Sequence, residues 1–440
     1  MSGPVKFYRV GGSVRDELLG RAVVDHDWVV TGATPEMLIA SGYRPVGRDF
    51  PVFLHPETHE EYALARTERK HGRGYRGFEF FVSPDVTLEE DLARRDLTIN
   101  AMARDADGAL IDPFGGRADL QAGVLRHVSP AFVEDPLRVL RVARFAARFD
   151  FPVARATRNL MRKLVAAGEL TELAAERVWQ ELARGLMERR PSRMLDVLRD
   201  CGALAQLLPE LDAIYGGRRR ASQPPETDRL ARLAAALDHA ADRGFPLPVR
   251  YAVLVHEPGG AQAPRRRTVK RTRRPLRGVA LAESVSLRLK APAECRDAAR
   301  LVARYRDRVD RAQELPAAKL LDLVMAADAL RRPERLDQLL EACECLALAE
   351  AGAPAGYPPG DFVRAALLVV KGVRAGAVAR RATAAGNGGQ ATSIRRATRD
   401  DGRGRHGRDR SPVADAVAKA VRAARLLALR AWLRAAANRS

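Results

Sequence analysis

The stretch from Tyr8 to Val30, YRVGGSVRDELLGRAVVDHDWVV, constrains the fold of the chain more than any other. Tyr8 to Val10 reads as the end of a buried strand, and Gly11 and Gly12 as a turn that strains any other residue type. Ser13 then reads as the N-cap of a short helix ending at Gly20. A strand, a glycine turn and a helix start make an anion cradle. The turn's N–H groups and the positive end of the helix favour negative charge, and Arg15 in the first turn adds a charged fork. The next strand is expected to carry Asp25 and Asp27 on one face, with His26 on the other, because strand side chains alternate. Paired carboxylates suit a hard cation. Beside a phosphate cradle the expected cation is Mg2+, held by the two aspartates and the substrate's own phosphates. A glycine turn or a DxD pair alone has an ordinary structural explanation, so the weight rests on their order and close spacing.

Downstream segments extend the same unit. Thr34 is placed to cap a helix whose first residue is Pro35, and Val52–Leu54 and Glu61–Ala65 read as further strands of one mixed sheet. Glu61 is a candidate third carboxylate on the aspartates' face. The basic, glycine-rich segment from Arg66 to Phe80 reads as a mobile loop. In DLARRDLTINAMA, Arg94, Arg95 and Asp96 begin a turn or helix and Asn100 follows one turn later. Arg95 can pair with a triphosphate, and Asp96 can accept from a ribose hydroxyl. PAFVEDPLRVLRVARFAARF reads as one helix with Leu137, Leu140 and Phe145 turned inward. Asp135, Arg138, Arg141 and Arg144, spaced three apart, form a charged stripe whose arginines repel one another unless an anion is present.

In this order the glycine turn with DHD, RRDLTINA, DPFGGRADL from Asp112 to Leu120, and EDPLR from Glu134 to Arg138 resemble the motifs of nucleotidyltransferases related to DNA polymerase beta. The resemblance is specifically to the class II family of bacterial tRNA CCA-adding enzymes and poly(A) polymerases, and it spans about Phe7 to Tyr215. It implies an α+β head with a polymerase beta-like palm, a mixed β-sheet with flanking helices, over residues 1–126. An all-α neck with the base-selecting EDxxR segment follows over 127–215, and a helical body and tail over 216–440. It implies Asp25 and Asp27 as catalytic, metal-holding residues. Gly11, Gly12, Arg15, Arg95, Asp96, Asp135, Arg138, Arg141 and Arg144 become nucleotide-binding residues. The implied reaction adds C, C and A to the tRNA 3′ end from CTP and ATP, without a nucleic-acid template and with loss of pyrophosphate. A poly(A) polymerase shares the head motifs, and a non-catalytic RNA-binding protein on the same scaffold is the alternative from another class. Product length and metal-dependent incorporation separate the three.

Charge agrees with such a partner. At a net +20 with only 5% aromatic residues, the chain is suited to a polyanion held through phosphates more than through base stacking. Its 440 residues, 46% of them hydrophobic, are enough for roughly two to four domains. The four cysteines, Cys201, Cys295, Cys343 and Cys345, are too few and scattered for a disulfide framework. The N-terminus lacks an apolar targeting segment and no apolar run reaches the roughly 18 residues of a membrane span, so a cytoplasmic protein with no membrane contact is expected. Nothing in the sequence sets the oligomeric state.

Beyond Tyr215 the resemblance thins. Relatives carry a metal-dependent HD phosphohydrolase domain there, whereas this chain has LVHEPGG, with Glu257 after His256, and PPETDRLA where the first histidines are expected. Phosphohydrolase activity is therefore expected to be absent. Two basic tracts, 258–277 and 388–412, have abrupt compositional edges and read either as linkers that touch RNA or as segments translated out of frame.

Overall fold

The computed structural model describes residues 4–23, 25–46, 52–70, 78–215, 229–256, 274–351, 356–390 and 412–438. Contacts divide the chain into Met1–Ala299 and Arg300–Ser440.

The first unit is built on a mixed sheet. Strands β1 (Lys6–Val10), β2 (Asp27–Thr31), β3 (Arg44–Val46), β4 (Val52–Leu54) and β5 (Glu61–Leu64) come first, and β6 (Arg66–Lys70) and β7 (Phe78–Val82) form a separate hairpin. Strands β8 (Ala103–Arg104) and β9 (Leu110–Ile111) complete a seven-stranded sheet in the order β3-β4-β5-β2-β1-β8-β9. β2 pairs antiparallel with β1 and parallel with β5. Its apolar residues alternate between two cores: Val29 packs with Val10, Leu92, Ala101 and Ala103, and Val30 with Leu38, Phe53, Tyr62 and Leu64. A strand buried on both faces anchors the sheet, and it places Asp27, at its start, on the Val29 side.

Three local expectations are corrected. Asp25 lies before β2 and not within it. Gly11, not Ser13, is the N-cap of the first helix, α1 (Gly12–Leu18); the Ser13 hydroxyl donates to the Val10 carbonyl at 3.1 Å. The segment expected to be a loop from Arg66 to Phe80 pairs as β6 and β7, from Arg66↔Val82 to Lys70↔Phe78. FEFFV is rich in strand-forming residues, and the glycines that suggested a loop all fall at 71–77, outside the described residues. The helix α2 (Pro35–Ala40) starts as expected, with Thr34 Oγ1 accepting from the Met37 N–H at 3.4 Å.

Helices α3 (Leu88–Ala93) and α4 (Gly116–Ala122) complete the head. Arg94 is the C-cap of α3, and the RRD segment forms the turn, one of the two expected alternatives, that leads from this helix to the 3-10 helix Thr98–Asn100. Next comes a 3-10 turn, Pro130–Glu134, and then α5 (Arg138–Phe149), nearly all of it buried. The single helix expected here is therefore two pieces. Pro136 disfavours helical backbone at the residue before it, and Asp135 is extended, at φ −109° and ψ 105°. After α6 (Arg155–Ala166), helices α7 (Ala175–Met187) and α8 (Pro191–Asp200) pack on α5. A Cβ at Gly185 in α7 would overlap Met194 Sδ in α8, so a larger residue there would displace that methionine. The helix Arg229–Asp242 follows and joins α8 through Ser192 Oγ, which donates to Asp238 at 2.7 Å.

The second unit is helical, with Ala317–Ala326, Pro358–Gly372 and Pro412–Ala437 packing together. Arg422 donates to Asp322 at 2.6 Å, and the Tyr357 hydroxyl donates to Asp310 at 2.6 Å. The two basic tracts lie outside the described residues, except that 274–277 open the helix Arg274–Arg288, 388–390 close Ala375–Gln390 and 412 opens the last helix. Among the described residues no helix is long and apolar enough to cross a membrane.

Candidate active site

Strand register brings the two halves of the opening motif together. Asp27 pairs with Val10, the residue before the glycine turn, and on its other side with Glu61 of β5. Residues in register share a face, so Glu61 lies on the Asp27 side of the sheet. Partial burial raises the Asp27 carboxyl above its ordinary value, Arg95 opposes the shift, and the charge of Asp25 adds to it. A carboxylate whose proton affinity is raised by a neighbouring carboxylate is the arrangement a divalent cation relieves. Among the described residues no group of three or more His, Cys, Asp or Glu side chains is placed to hold a metal ion.

Gly11 has φ +71°, and a Cβ there would stand 2.8 Å from Arg95 Nη1. The left-handed backbone favours glycine at this turn, and a methyl there would push the end of the Arg95 side chain aside. The Gly11 N–H, expected to face an anion, instead donates to the Met102 carbonyl at 3.1 Å.

A cleft of ≈ 480 Å³ opens beside this turn. Its walls include Gly11, Gly12 and Asp27, and eight arginines against three aspartates. Five of those arginines, Arg15, Arg95, Arg138, Arg141 and Arg144, are the ones the sequence singled out. Arg94, Arg148 and Arg177 are additions, while Asp25 is not among the lining residues. The cleft's charge balance favours a polyanion.

The arginines are held by the protein itself. Arg15 is buried, donates to Asp16 at 2.9 and 3.0 Å and to Asn100 Oδ1, and lies over the rings of Phe145 and Phe149 at 5.3 and 5.0 Å. Burial lowers its proton affinity. Arg95 pairs with the buried Asp91 at 3.2 Å. Arg141 Nε donates to Asp96 at 2.7 Å, and Arg144 Nε donates to the buried Glu181 at 2.6 Å. The repulsion expected along the arginine stripe is thus answered by carboxylates from α7 and from the head. Arg138 donates to the carbonyls of Ala131, at 2.7 Å, and Arg94.

Two expected roles change in detail. Asp96, read as a ribose acceptor, is buried and accepts from Arg141 Nε, from Asn100 Nδ2 at 2.9 Å and from the Leu97 N–H at 2.8 Å. Burial alone would raise its carboxyl, but Arg141 and Asn100 outweigh burial and hold it far below the usual range. Its visible work is to pin neck to head. Asp135 is not on a helix face with Arg138. It precedes α5, accepts from the Leu137 N–H at 3.0 Å, and accepts from Arg177 at 3.0 Å. Both Asp135 and Arg138 still line the cleft. Arg148 was within reach of the sequence, one turn beyond Arg144 on the same stripe, whereas Arg177 and Glu181 had no local signal.

Residues 7–126 match the family described as the poly A polymerase head domain, and 150–215 match a probable RNA and SrmB-binding site of polymerase A. The fold and this head-domain match define a nucleotidyltransferase. The multifunctional CCA protein of Paraburkholderia phytofirmans is 55% identical over 385 residues, covering 86% of this chain and 94% of that protein. That of Dechloromonas aromatica is 55% identical over 377 residues, covering 85% and 92%. The chain belongs to the multifunctional CCA protein family. Among solved structures, the Bacillus stearothermophilus CCA-adding enzyme in complex with CTP matches at 26% identity and a TM-score of 0.56, over 85% of this chain and 81% of that one. Membership carries with it the use of a divalent metal.

Proposed function

We propose that this chain is a CCA tRNA nucleotidyltransferase, which restores C, C and A to the 3′ end of tRNA from CTP and ATP and releases pyrophosphate. The observation that carries the reading is the register of Asp27 with the residue before the glycine turn, at the mouth of an arginine-lined cleft that also contains Asp135 and Arg138. Relatives at 55% identity bear the CCA protein name.

Asp25 and Asp27 would hold Mg2+, which supplies charge neutralisation of the triphosphate and a more nucleophilic 3′-hydroxyl. Arg15 and Arg95 then bind phosphate oxygens, while the Arg141–Asp96 pair keeps the neck wall of the cleft fixed against the head and the Arg144–Glu181 pair ties α5 to α7 within the neck. Asp135 accepts and Arg138 donates toward the base edge. Cytosine and adenine both present an amino donor beside a ring-nitrogen acceptor, so one pair serves both. Backbone contacts by a chain of net charge +20 would hold the tRNA acceptor stem, in the cytoplasm. The division into head 1–126, neck 127–215 and body with tail 216–440 is retained as a functional proposal, distinct from the packing units.

The deciding experiment supplies tRNA lacking its 3′ end with CTP, ATP or both. Addition of CCA with both nucleotides supports the proposal; a long A tail would assign the chain to the poly(A) branch, and no incorporation with added metal would leave an RNA-binding scaffold.

A further inference from the structure

Asp16 is absent from the cleft's lining, yet two of the arginines that do line it converge on its carboxylate. Arg15, from the same helix, donates through Nε at 2.9 Å and Nη2 at 3.0 Å. Arg148, from the last turn of α5, donates through Nη2 at 2.8 Å. One guanidinium comes from the head and the other from the neck, more than a hundred residues apart in sequence. Both also lie over the Phe149 ring, at 5.0 and 5.3 Å. Arg21 lies over the same ring at 5.0 Å, and cations packed on one ring repel one another, while each side chain has several rotamers that would relieve this by moving into solvent. The shared carboxylate, only 15% exposed, holds Arg15 and Arg148 together.

We propose that Asp16 is a positioning residue for the triphosphate, fixing Arg15 and Arg148 as one two-armed fork across the head–neck junction. The inference rests on the nucleotidyltransferase reading and adds to it a residue and a direction of effect. The sign is informative. Asp16 carries a negative charge close to where a triphosphate would collect, so neutralising it should tighten nucleotide binding if charge alone mattered. If its work is to preorganise the arginines, neutralising it should weaken binding.

The test compares the full-length parent with Asp16→Asn in CTP and ATP addition to truncated tRNA. Competition by inorganic tripolyphosphate and by cytidine is measured in the same assay. The expected result is a rise in KM for CTP and for ATP of roughly threefold to thirtyfold, with kcat changed by no more than about twofold. The inhibition constant of tripolyphosphate should rise by the same factor while that of cytidine holds, and Asp16→Glu should recover most of the loss. Arg148→Gln, on α5, should reproduce the KM effect, and the double variant should be no worse than the more affected single. Should Asp16→Asn not fold, Arg148→Gln with the two competitors carries the test. An unchanged or lower KM, an equal loss of cytidine binding, or additive effects in the double variant would overturn the inference. An active parent with a kinetically silent Asp16→Asn defeats this inference alone; a parent that adds no nucleotide defeats the functional reading with it.

Discussion

Arg141 of the neck and Asp96 of the head meet in a 2.7 Å hydrogen-bonded ion pair whose carboxylate is buried. The consequence is a pH dependence with a definite sign. Burial would raise the Asp96 carboxyl, but Arg141 and Asn100 together depress it well below the ordinary aspartate range. A depressed carboxyl contributes stability that is fully present above its unfolded value, near 4, and is lost as pH falls through the folded value. Melting temperature followed from pH 6 downward should therefore fall below about pH 4, and Asp96→Asn should show a shallower acid slope. At neutral pH the same variant should cost about 1 to 3 kcal/mol. An acid slope equal to the parent's would mean that other carboxylates, such as Asp91, dominate.

Asp27→Ala is expected to abolish incorporation of both C and A, by at least about a thousandfold, and to leave tRNA affinity nearly intact. The aspartate belongs to the metal chemistry, while RNA affinity is spread over a chain of net charge +20. Removing divalent metal by chelation should mimic the variant. Activity of Asp27→Ala within tenfold of the parent would remove this residue from the metal site. Glu61→Gln, in register with Asp27 and exposed as Asp27 is, measures whether a third carboxylate participates.

Gly11→Ala should impair both nucleotides through the phosphate end of the cleft. The substitution forces a left-handed residue at φ +71° and puts a methyl 2.8 Å from Arg95 Nη1, so the arginine must move. The strain is of order 1–2 kcal/mol. The expected signature is a drop in kcat/KM for CTP and ATP alike, larger than the drop in stability implies, with discrimination against UTP and GTP kept.

Much of this site was legible because strand chemistry is local. The Gly11–Gly12 turn and DHD are joined by a β1–β2 pairing that the short span between them permits, and the β5 strand at Glu61 announced itself by EYAL. The break at Asp135 was also written in the sequence, in the proline that follows it, but the periodic arginines drew Asp135 onto the helix. What could not be read were the partners of those arginines. Glu181 reaches Arg144, Arg177 reaches Asp135 and Arg148 reaches Asp16 across 37, 42 and 132 residues, and tertiary packing alone sets such pairs. The β6–β7 hairpin was missed for another reason. Composition averaged over Arg66–Phe80 hid two short strands behind the segment between them.

The chain is expected to hydrolyse no 2′,3′-cyclic AMP. A metal-dependent phosphohydrolase needs a complete ligand set, and the HD pair of the related domain is here His256 followed by Glu257. His256 is buried at the end of the helix Leu247–Leu254, and Glu257 lies outside the described residues. Metal-stimulated hydrolysis that disappears in His256→Ala would show the opposite.

Base selection supplies the sharpest prediction, because Asp135 and Arg138 are anchored differently. Arg138 is fixed by two backbone carbonyls, whereas Asp135 is oriented by the Leu137 N–H and the Arg177 guanidinium. An acceptor beside a donor satisfies the edges of C and A and leaves unpaired groups against U or G, at about 1 to 3 kcal/mol for each buried group. One mispaired edge should then reject the wrong base by roughly tenfold to a few hundredfold. Asp135→Ala should lose much of that discrimination as well as rate. Arg177→Met, which leaves the carboxylate in place but removes a cation that orients it, should lose a smaller part of both. Arg141→Ala, whose partner is Asp96 and not the base, should lose rate with discrimination largely kept. Values of kcat/KM for CTP, ATP, UTP and GTP in these three variants decide it. An Asp135→Ala enzyme with the parent's preference for C over U would take Asp135 out of base recognition, and equal effects of Arg141→Ala and Arg177→Met on selectivity would mean that the cleft responds as a whole.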